Sequence, residues 1–239
     1  MRRLLPIALL AACEGAERSP QDDGGAAPEC DLFPLAVGAR WTYRDTNSDG
    51  EERDLVKAID RCEVSVFDDC LTGVERSAKT YVQSSSEADE VDDSGLTFLV
   101  PLPEGVVRVR QEVRRDGALD QVQTYSPYFM RVMTGPYETG RSESFTHDRC
   151  EYDPAGTLTS HEVRHYRHEI LGEEEVTVPA GTFAAIAIER TDLDDGDVKR
   201  YWFACGVGKV LERKMLEDGS VGGSEELAAY EEGQSRCED

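Results

Sequence analysis

The sequence predicts an all-β protein, built as a single curved antiparallel sheet, an open barrel or a sandwich, with a disordered tether at its N-terminus. Between residues 30 and 239 no stretch keeps a helical apolar period over three turns. Alternation of apolar and polar residues is common instead, and turn signals recur at short, fairly even spacing. No second linker interrupts this region, so we expect one antiparallel β domain over residues 30–239.

The clearest predicted hairpin lies in the first half of this domain. Val107, Val109 and Val113 fall on one strand face, with charged residues on the other. Asp116-Gly117 is a hairpin-turn signal, and the chain returns over 119–125. The other predicted strands cover residues 41–43, 55–59, 96–100, 143–152, 157–171, 176–178, 183–191, 198–203, 210–216 and 227–230.

Three stretches depart from simple alternation. Residues 183–191 are apolar on both faces, which is typical of a central strand. The acidic, serine-rich stretch 84–94 is predicted to be a mobile loop. Residues 125–136 are predicted to form a short helix or an irregular crossing.

The composition supports a folded core and excludes one class of partner. Hydrophobic residues make up 39% of the 239 residues, which is enough to build a core. The chain has 26 Lys and Arg against 49 Asp and Glu, a formal net charge of −23. A polyanion of this size repels the phosphate backbone, so we expect no nucleic-acid partner.

The N-terminus has the layout of an export signal. Residues 1–12 contain a basic start and a nine-residue apolar run, too short to span a bilayer as a helix. The run ends in Leu-Ala-Ala-Cys, which resembles the lipobox of bacterial lipoproteins. The resemblance implies that Cys13 receives a lipid and becomes the first residue after cleavage. The alternative is an ordinary secretory signal in which Cys13 is incidental.

The residues after Cys13 predict a flexible linker. Residues 14–29 contain no large apolar side chain, so burial cannot offset the entropy lost on ordering them. We therefore expect an exported protein that is held by its lipid at the bacterial envelope, at the outer membrane. Its first partner would be the membrane itself.

Six further cysteines suit an oxidising compartment. An even number in an exported chain predicts disulfides, although six cysteines allow 15 pairings. Proximity in sequence favours Cys62 with Cys70, and the ends of the domain favour Cys30 with Cys237. Cys150 and Cys205 then remain as the third pair. Buried free thiols are the alternative.

Three motifs resemble one group of proteins. They are F-P-L-x-x-G-x-x-W-x-Y over residues 33–43, V-T-V-P-A-G-T-F over 176–183 and Y-W-F-A-C-G-V-G-K-V over 201–210. Together they look like a widespread group of uncharacterised bacterial envelope lipoproteins. The resemblance implies a curved antiparallel sheet, loosely similar to the lipoprotein-carrier fold that shelters acyl chains, and no known enzyme activity. Cys205 departs from the residue, often proline, expected there, which suggests a disulfide specific to this chain.

Two weaker patterns could bind metals. His161, Glu162 and His165 match H-E-x-x-H, but the segment reads as a strand, where the two histidines would stand too far apart for one ion. Asp45, Asn47 and Asp49 copy the first half of a calcium loop without its final glutamate. A polar hairpin tip explains the same three residues.

These observations predict a non-catalytic envelope protein with no cofactor. Its sheet is expected to bind an apolar ligand or a partner protein. The alternatives are a structural or calcium-stabilised surface module and, more remotely, a zinc hydrolase that uses His161, Glu162 and His165.

Overall fold

A computed structural model describes residues 30–69, 72–87 and 94–237. The predicted signal, Cys13, the linker 14–29 and Cys70 lie outside these residues. Twelve strands form the described fold: β1 (Arg40–Thr46), β2 (Glu52–Asp68), β3 (Glu75–Glu87), β4 (Ser94–Leu102), β5 (Gly105–Arg115), β6 (Ala118–Met133), β7 (Ser142–Tyr152), β8 (Leu158–Val178), β9 (Gly181–Asp192), β10 (Val198–Ala204), β11 (Gly208–Met215) and β12 (Val221–Glu231). Within the described ranges the chain has no helix that could cross a membrane.

The strands close into a barrel in chain order. Every pairing is antiparallel, each strand pairs with its neighbours in sequence, and β1 pairs with both β2 and β12. The prediction of an all-β antiparallel fold is confirmed. Of the predicted architectures the barrel is the one found, and the sheet is closed rather than open because β12 returns to β1.

Two predicted irregular segments are wrong. Residues 118–133 form one continuous strand, β6, where a helix or crossing was expected over 125–136. The end of β6 is buried on both faces, at Phe129, Met130, Val132 and Met133, so it lacks the alternation that marks a half-exposed strand. The predicted loop 84–94 begins too early, because β3 continues to Glu87, and residues 88–93 lie outside the described chain.

The core is divided into two apolar clusters. One includes Trp41, Ile59, Leu99, Trp202 and Leu227, and the other includes Val107, Met130, Ile170, Ile188 and Phe203. The tip of the β8–β9 hairpin packs toward β12, where the Ala180 amide donates to the Leu227 carbonyl at 2.9 Å.

Two of the sequence motifs meet in the first cluster. The Trp41 indole Nε1 donates to the Val207 carbonyl at 2.6 Å. Gly208 has a φ of +101° in its turn, and a Cβ there would lie 3.2 Å from Trp41 Nε1. The tryptophan of the first motif and the Gly-x-Gly of the third are therefore parts of one packing arrangement, which explains their residues by folding alone.

The predicted disulfide pairings are wrong. Cys30 is bonded to Cys205, and Cys62 is bonded to Cys237. Cys150 is disulfide-bonded as well, but not to Cys205. Barrel closure brings residues 175 apart in sequence to Cα–Cα distances of 5.1 and 5.8 Å, and proximity in the sequence could not reveal this.

Candidate functional site

A cavity of about 580 Å³ lies inside the barrel. Its lining side chains come from nine strands, β2 to β6 and β9 to β12. Because these strands stand on different sides of the closed sheet, the cavity belongs to the barrel interior. Its volume falls in the range of about 300–1,000 Å³ that is usual for small-molecule sites.

The cavity walls are mostly polar and carry an excess of positive charge. Leu55 and Val113 are the aliphatic side chains of the lining, which argues against the expected wholly apolar ligand. Seven lining residues are cations and three are carboxylates. They are Lys57, Arg108, Arg114, Arg115, Arg131, Arg190 and Lys199 against Glu87, Glu212 and Glu225.

One wall is a network of paired charges. Lys57 Nζ lies 2.7 Å from Glu225, and Lys199 Nζ lies 2.7 Å from Glu212. Buried Lys209 joins both carboxylates and so links the two pairs. Burial alone would raise the pKa of Glu225, but the nearby Lys209 and Lys57 lower it to about 2. This wall is therefore held together by its own ion pairs.

A second wall carries three arginines around one phenyl ring. The guanidinium carbons of Arg108, Arg131 and Arg190 lie 4.7, 5.8 and 5.3 Å from the centre of the Phe129 ring. Arg108 is the direct cross-strand partner of Phe129, and Arg131 follows two residues later on β6. Arg190 joins them from β9. Cation–π contact at these distances orients the guanidinium groups and holds them in place.

Two buried histidines beside the arginines stay neutral. Burial, and then the neighbouring Arg108, lower the pKa of His147 to about 4. Burial, and then Arg190 and Arg131, lower the pKa of His168 to about 3. Neither imidazole is protonated at neutral pH, so the positive charge of this wall comes from the three arginines.

Sequence reasoning missed the three arginines. Arg108 lies in the predicted strand that carries Val107 and Val109, and the sequence placed it only on the charged face opposite the valines. In a closed barrel that face turns toward the cavity at Arg108. An alternating strand pattern distinguishes two faces but cannot tell an interior lined by charges from bulk solvent.

The H-E-x-x-H residues do not converge. They lie on strand β8, not on a helix, and each has a different partner. His161 contacts Asp148 at 2.7 Å, Glu162 accepts from Arg149 at 2.9 Å, and His165 contacts Asp194 at 2.9 Å. The zinc hypothesis is therefore unsupported, because a strand separates the two imidazoles by about four residues of roughly 3.3 Å each.

The calcium candidates form a hairpin tip. Asp45 accepts from Arg53 at 2.7 Å, and the Asn47 side-chain oxygen accepts from the amides of Asp49 and Glu51 at 2.9 Å. These bonds organise the β1–β2 turn. Among the described residues, no group of three or more His, Cys, Asp or Glu is arranged to hold a metal ion.

Comparison with known proteins gives a likeness of fold. No protein-family model and no curated protein sequence matches the chain. A solved structure of a protein from Bacteroides fragilis, assigned as exported and as having a YmcC-like fold, aligns with a TM-score of 0.50 at 14% identity, over 85% of this chain and 100% of that one. A protein from Parabacteroides distasonis, assigned as a lipoprotein, aligns with a TM-score of 0.42 at 12% identity, over 86% and 100%. At 14% identity the first likeness concerns the fold alone.

Proposed function

We propose that the protein is a non-catalytic, lipid-anchored envelope protein that binds a small molecule inside its barrel. The observation that carries the binding function is the cavity of about 580 Å³ with a charged lining. The polar walls favour a ligand with polar or charged groups over the wholly apolar one that the sequence suggested. A binding role is favoured over a purely structural module because a structural barrel has no need of an interior lined by cations.

Three further observations support the envelope location. The first thirteen residues resemble a lipoprotein signal, and the protein from Bacteroides fragilis with a similar fold is assigned as exported. The disulfides, among them Cys30–Cys205 and Cys62–Cys237, suit an oxidising compartment outside the cytoplasm.

The anchor is tested by Cys13→Ala. The substitution should abolish acyl labelling and release the protein from membranes, because lipidation needs the thiol. Membrane fractionation after a high-salt wash measures the release. A Cys13→Ala protein that stays membrane-bound through the wash contradicts the anchor.

The binding cavity is tested by filling it. Ser85 lines the cavity on β3, and Ser77 on the same strand is exposed, so Ser85→Trp and Ser77→Trp make a matched pair. Native mass spectrometry of the full chain purified from cells should show a bound small molecule in the wild type and in Ser77→Trp. Ser85→Trp should lose it while keeping the β-sheet circular dichroism spectrum. Equal occupancy in all three proteins, or none in the wild type, would refute the cavity as the site.

A further inference from the structure

The arginines around Phe129 differ from every other cation in the cavity lining. Lys57 and Lys199 have glutamate partners, Arg114 lies 3.8 Å from Glu112, and Arg115 lies 3.3 Å from Asp120. In the part of the chain that the structure describes, no carboxylate lies within ion-pair distance of Arg108, Arg131 or Arg190. The three lining cations without an anionic partner are therefore the same three that gather around one ring.

This arrangement is unfavourable without an anion. Three positive charges share one partly buried wall and repel one another. The chain has 49 Asp and Glu against 26 Lys and Arg, yet none of the described carboxylates pairs with these arginines. Burial, and then repulsion from Arg131 and Arg190, lower the pKa of Arg108 to about 10. Arg108 donates a hydrogen bond to the side-chain oxygen of Gln111, but this neutral amide cannot cancel the charge of the guanidinium. An unpaired group of this kind calls for a counter-charge from a ligand.

We propose that Arg108, Arg131 and Arg190 bind a phosphate group carried by the ligand, an inference that rests on the proposed binding function. Arginine matches oxyanions because its planar guanidinium can donate two parallel hydrogen bonds. One bidentate arginine would suffice for a single carboxylate, which carries one negative charge. A phosphate monoester carries about −1.5 to −2 at neutral pH and has three terminal acceptor oxygens, so it suits three guanidinium groups from three strands.

The ligand is larger than phosphate alone. A cavity of about 580 Å³ extends from the arginines to the paired wall of Lys57, Lys199 and their glutamates. The phosphate is therefore one end of an organic molecule. It belongs either to a water-soluble phosphate monoester or to the head group of phosphatidic acid, and both present the same terminal phosphate to the arginines.

Arg213 provides a matched control. Its guanidinium lies 5.3 Å from the Trp202 ring, it has no carboxylate partner among the described residues, and it does not line the cavity. Arg213→Gln and Arg131→Gln therefore remove the same charge and the same type of aromatic contact. The two variants differ in whether the arginine faces the cavity.

The test is titration calorimetry of the full chain in detergent with glycerol 3-phosphate and with dihexanoyl phosphatidic acid, at constant ionic strength. Wild type and Arg213→Gln should bind at least one probe, and Arg131→Gln and Arg190→Gln should each weaken that binding at least tenfold. Tighter binding of glycerol 3-phosphate identifies a soluble ester, and tighter binding of the lipid identifies a head group. Absence of binding of both probes to the wild type, or equal affinity in all variants, would overturn the phosphate assignment.

Melting without ligand separates recognition from a structural role. If the arginines are held in mutual repulsion, Arg131→Gln and Arg190→Gln should melt at or above the wild-type temperature in phosphate-free buffer. A marked loss of stability in both would assign the arginines to folding and overturn the proposal. A small molecule that copurifies with the wild type but contains no phosphorus, and that Ser85→Trp displaces, would refute the phosphate assignment and leave the cavity function intact.

Discussion

His147 is a buried histidine without a polar partner. Its side chain is 2% exposed, and neither ring nitrogen has a hydrogen-bond partner within the described residues. The rings of Tyr125, Phe129 and Tyr166 surround it at centroid distances of 5.2 to 5.4 Å. An aromatic environment of this kind tolerates imidazole only in its neutral form. Protonation of His147 at acid pH should therefore destabilise the wall behind the arginines.

We expect His147→Phe to reduce the acid sensitivity of the barrel. The pKa of His147 is lowered to about 4 in the folded protein, against about 6.5 in an unfolded chain. Between these values the unfolded state binds more protons, so the free energy of unfolding falls as the pH falls, by up to ~1.4 kcal/mol per pH unit for one histidine. Above pH 6.5 neither state is protonated, and the contribution to stability is fully present. His147→Phe should therefore show a shallower decline between pH 6.5 and pH 4.

Urea unfolding at several pH values measures this slope. The difference between variant and wild type at pH 8 gives the effect of packing alone and serves as the internal control. His168 and the paired carboxylates contribute equally in both proteins and cancel in the comparison. An unchanged slope would show that folding does not lower the pKa of His147.

At the scale of elements, the start of β5 packs against the end of β6 without room for a side chain. Gly105 has a φ of +154°, and a Cβ there would lie 2.1 Å from the Val132 carbonyl oxygen and 2.9 Å from Met130 Sδ. Met130 and Val132 flank Arg131 on β6. The backbone approach at Gly105 therefore positions the strand that carries Phe129 and Arg131.

We expect Gly105→Ala to destabilise the fold by about 3 kcal/mol, because the methyl group forces β5 away from β6 and the backbone is strained as well. Gly95→Ala is the control, since its Cβ would make an ordinary contact at 3.6 Å with the Glu112 carbonyl and it has no positive φ. Chemical denaturation measures both variants. Equal stability of the two would contradict the close approach at Gly105.

Strands were predictable from the sequence where one face carries polar residues and the other carries buried apolar residues. Val107 and Val109 alternate with charged residues and are buried on one face of β5, but Val113, predicted on the same face, lines the cavity with Arg108 because the register shifts between Arg108 and Arg110. The end of β6 was misread because it is buried on both faces, so the period of two disappears at Phe129 and Met130. The tip Asn47 was correctly interpreted as a turn, because its side-chain bonds are local.

The candidate site could not be predicted for a related reason. Pairing of β5 with β6 brings Arg108 and Arg131 to the Phe129 ring, but only the curvature of the sheet into a barrel brings Arg190 from β9 to the same ring. The disulfides were missed by the same long-range effect, since each joins residues 175 apart. Local patterns report on the faces of an element, whereas closure is a property of the whole sheet.

At the scale of the whole molecule, disulfides oppose the self-repulsion of an acidic barrel, and for two of them both cysteines lie in the described residues. Cys30 precedes β1 and is bonded to Cys205, which follows β10, whereas Cys237 follows β12 and is bonded to Cys62 in β2. Both ends of the described chain are thereby tied to the barrel wall. A formal charge of −23 favours expansion, and crosslinks over such long loops keep the unfolded chain from expanding fully.

We expect reduction of the disulfides to lower the melting temperature by at least ~10 °C, since each crosslink contributes ~3 kcal/mol and a protein of this size shifts by ~2–4 °C per kcal/mol. The loss should be larger in low salt than in high salt. Unfolding of the reduced chain relieves charge repulsion, whereas the crosslinked chain stays compact and relieves little, and salt screens this difference. Circular dichroism melting with and without reductant, at two salt concentrations, measures the effect.

The double variant Cys62→Ser/Cys237→Ser, which removes one crosslink, should melt between the oxidised and reduced wild type. Equal melting temperatures in oxidised and reduced protein, or a larger loss in high salt, would show that the crosslinks do not restrain the expanded chain.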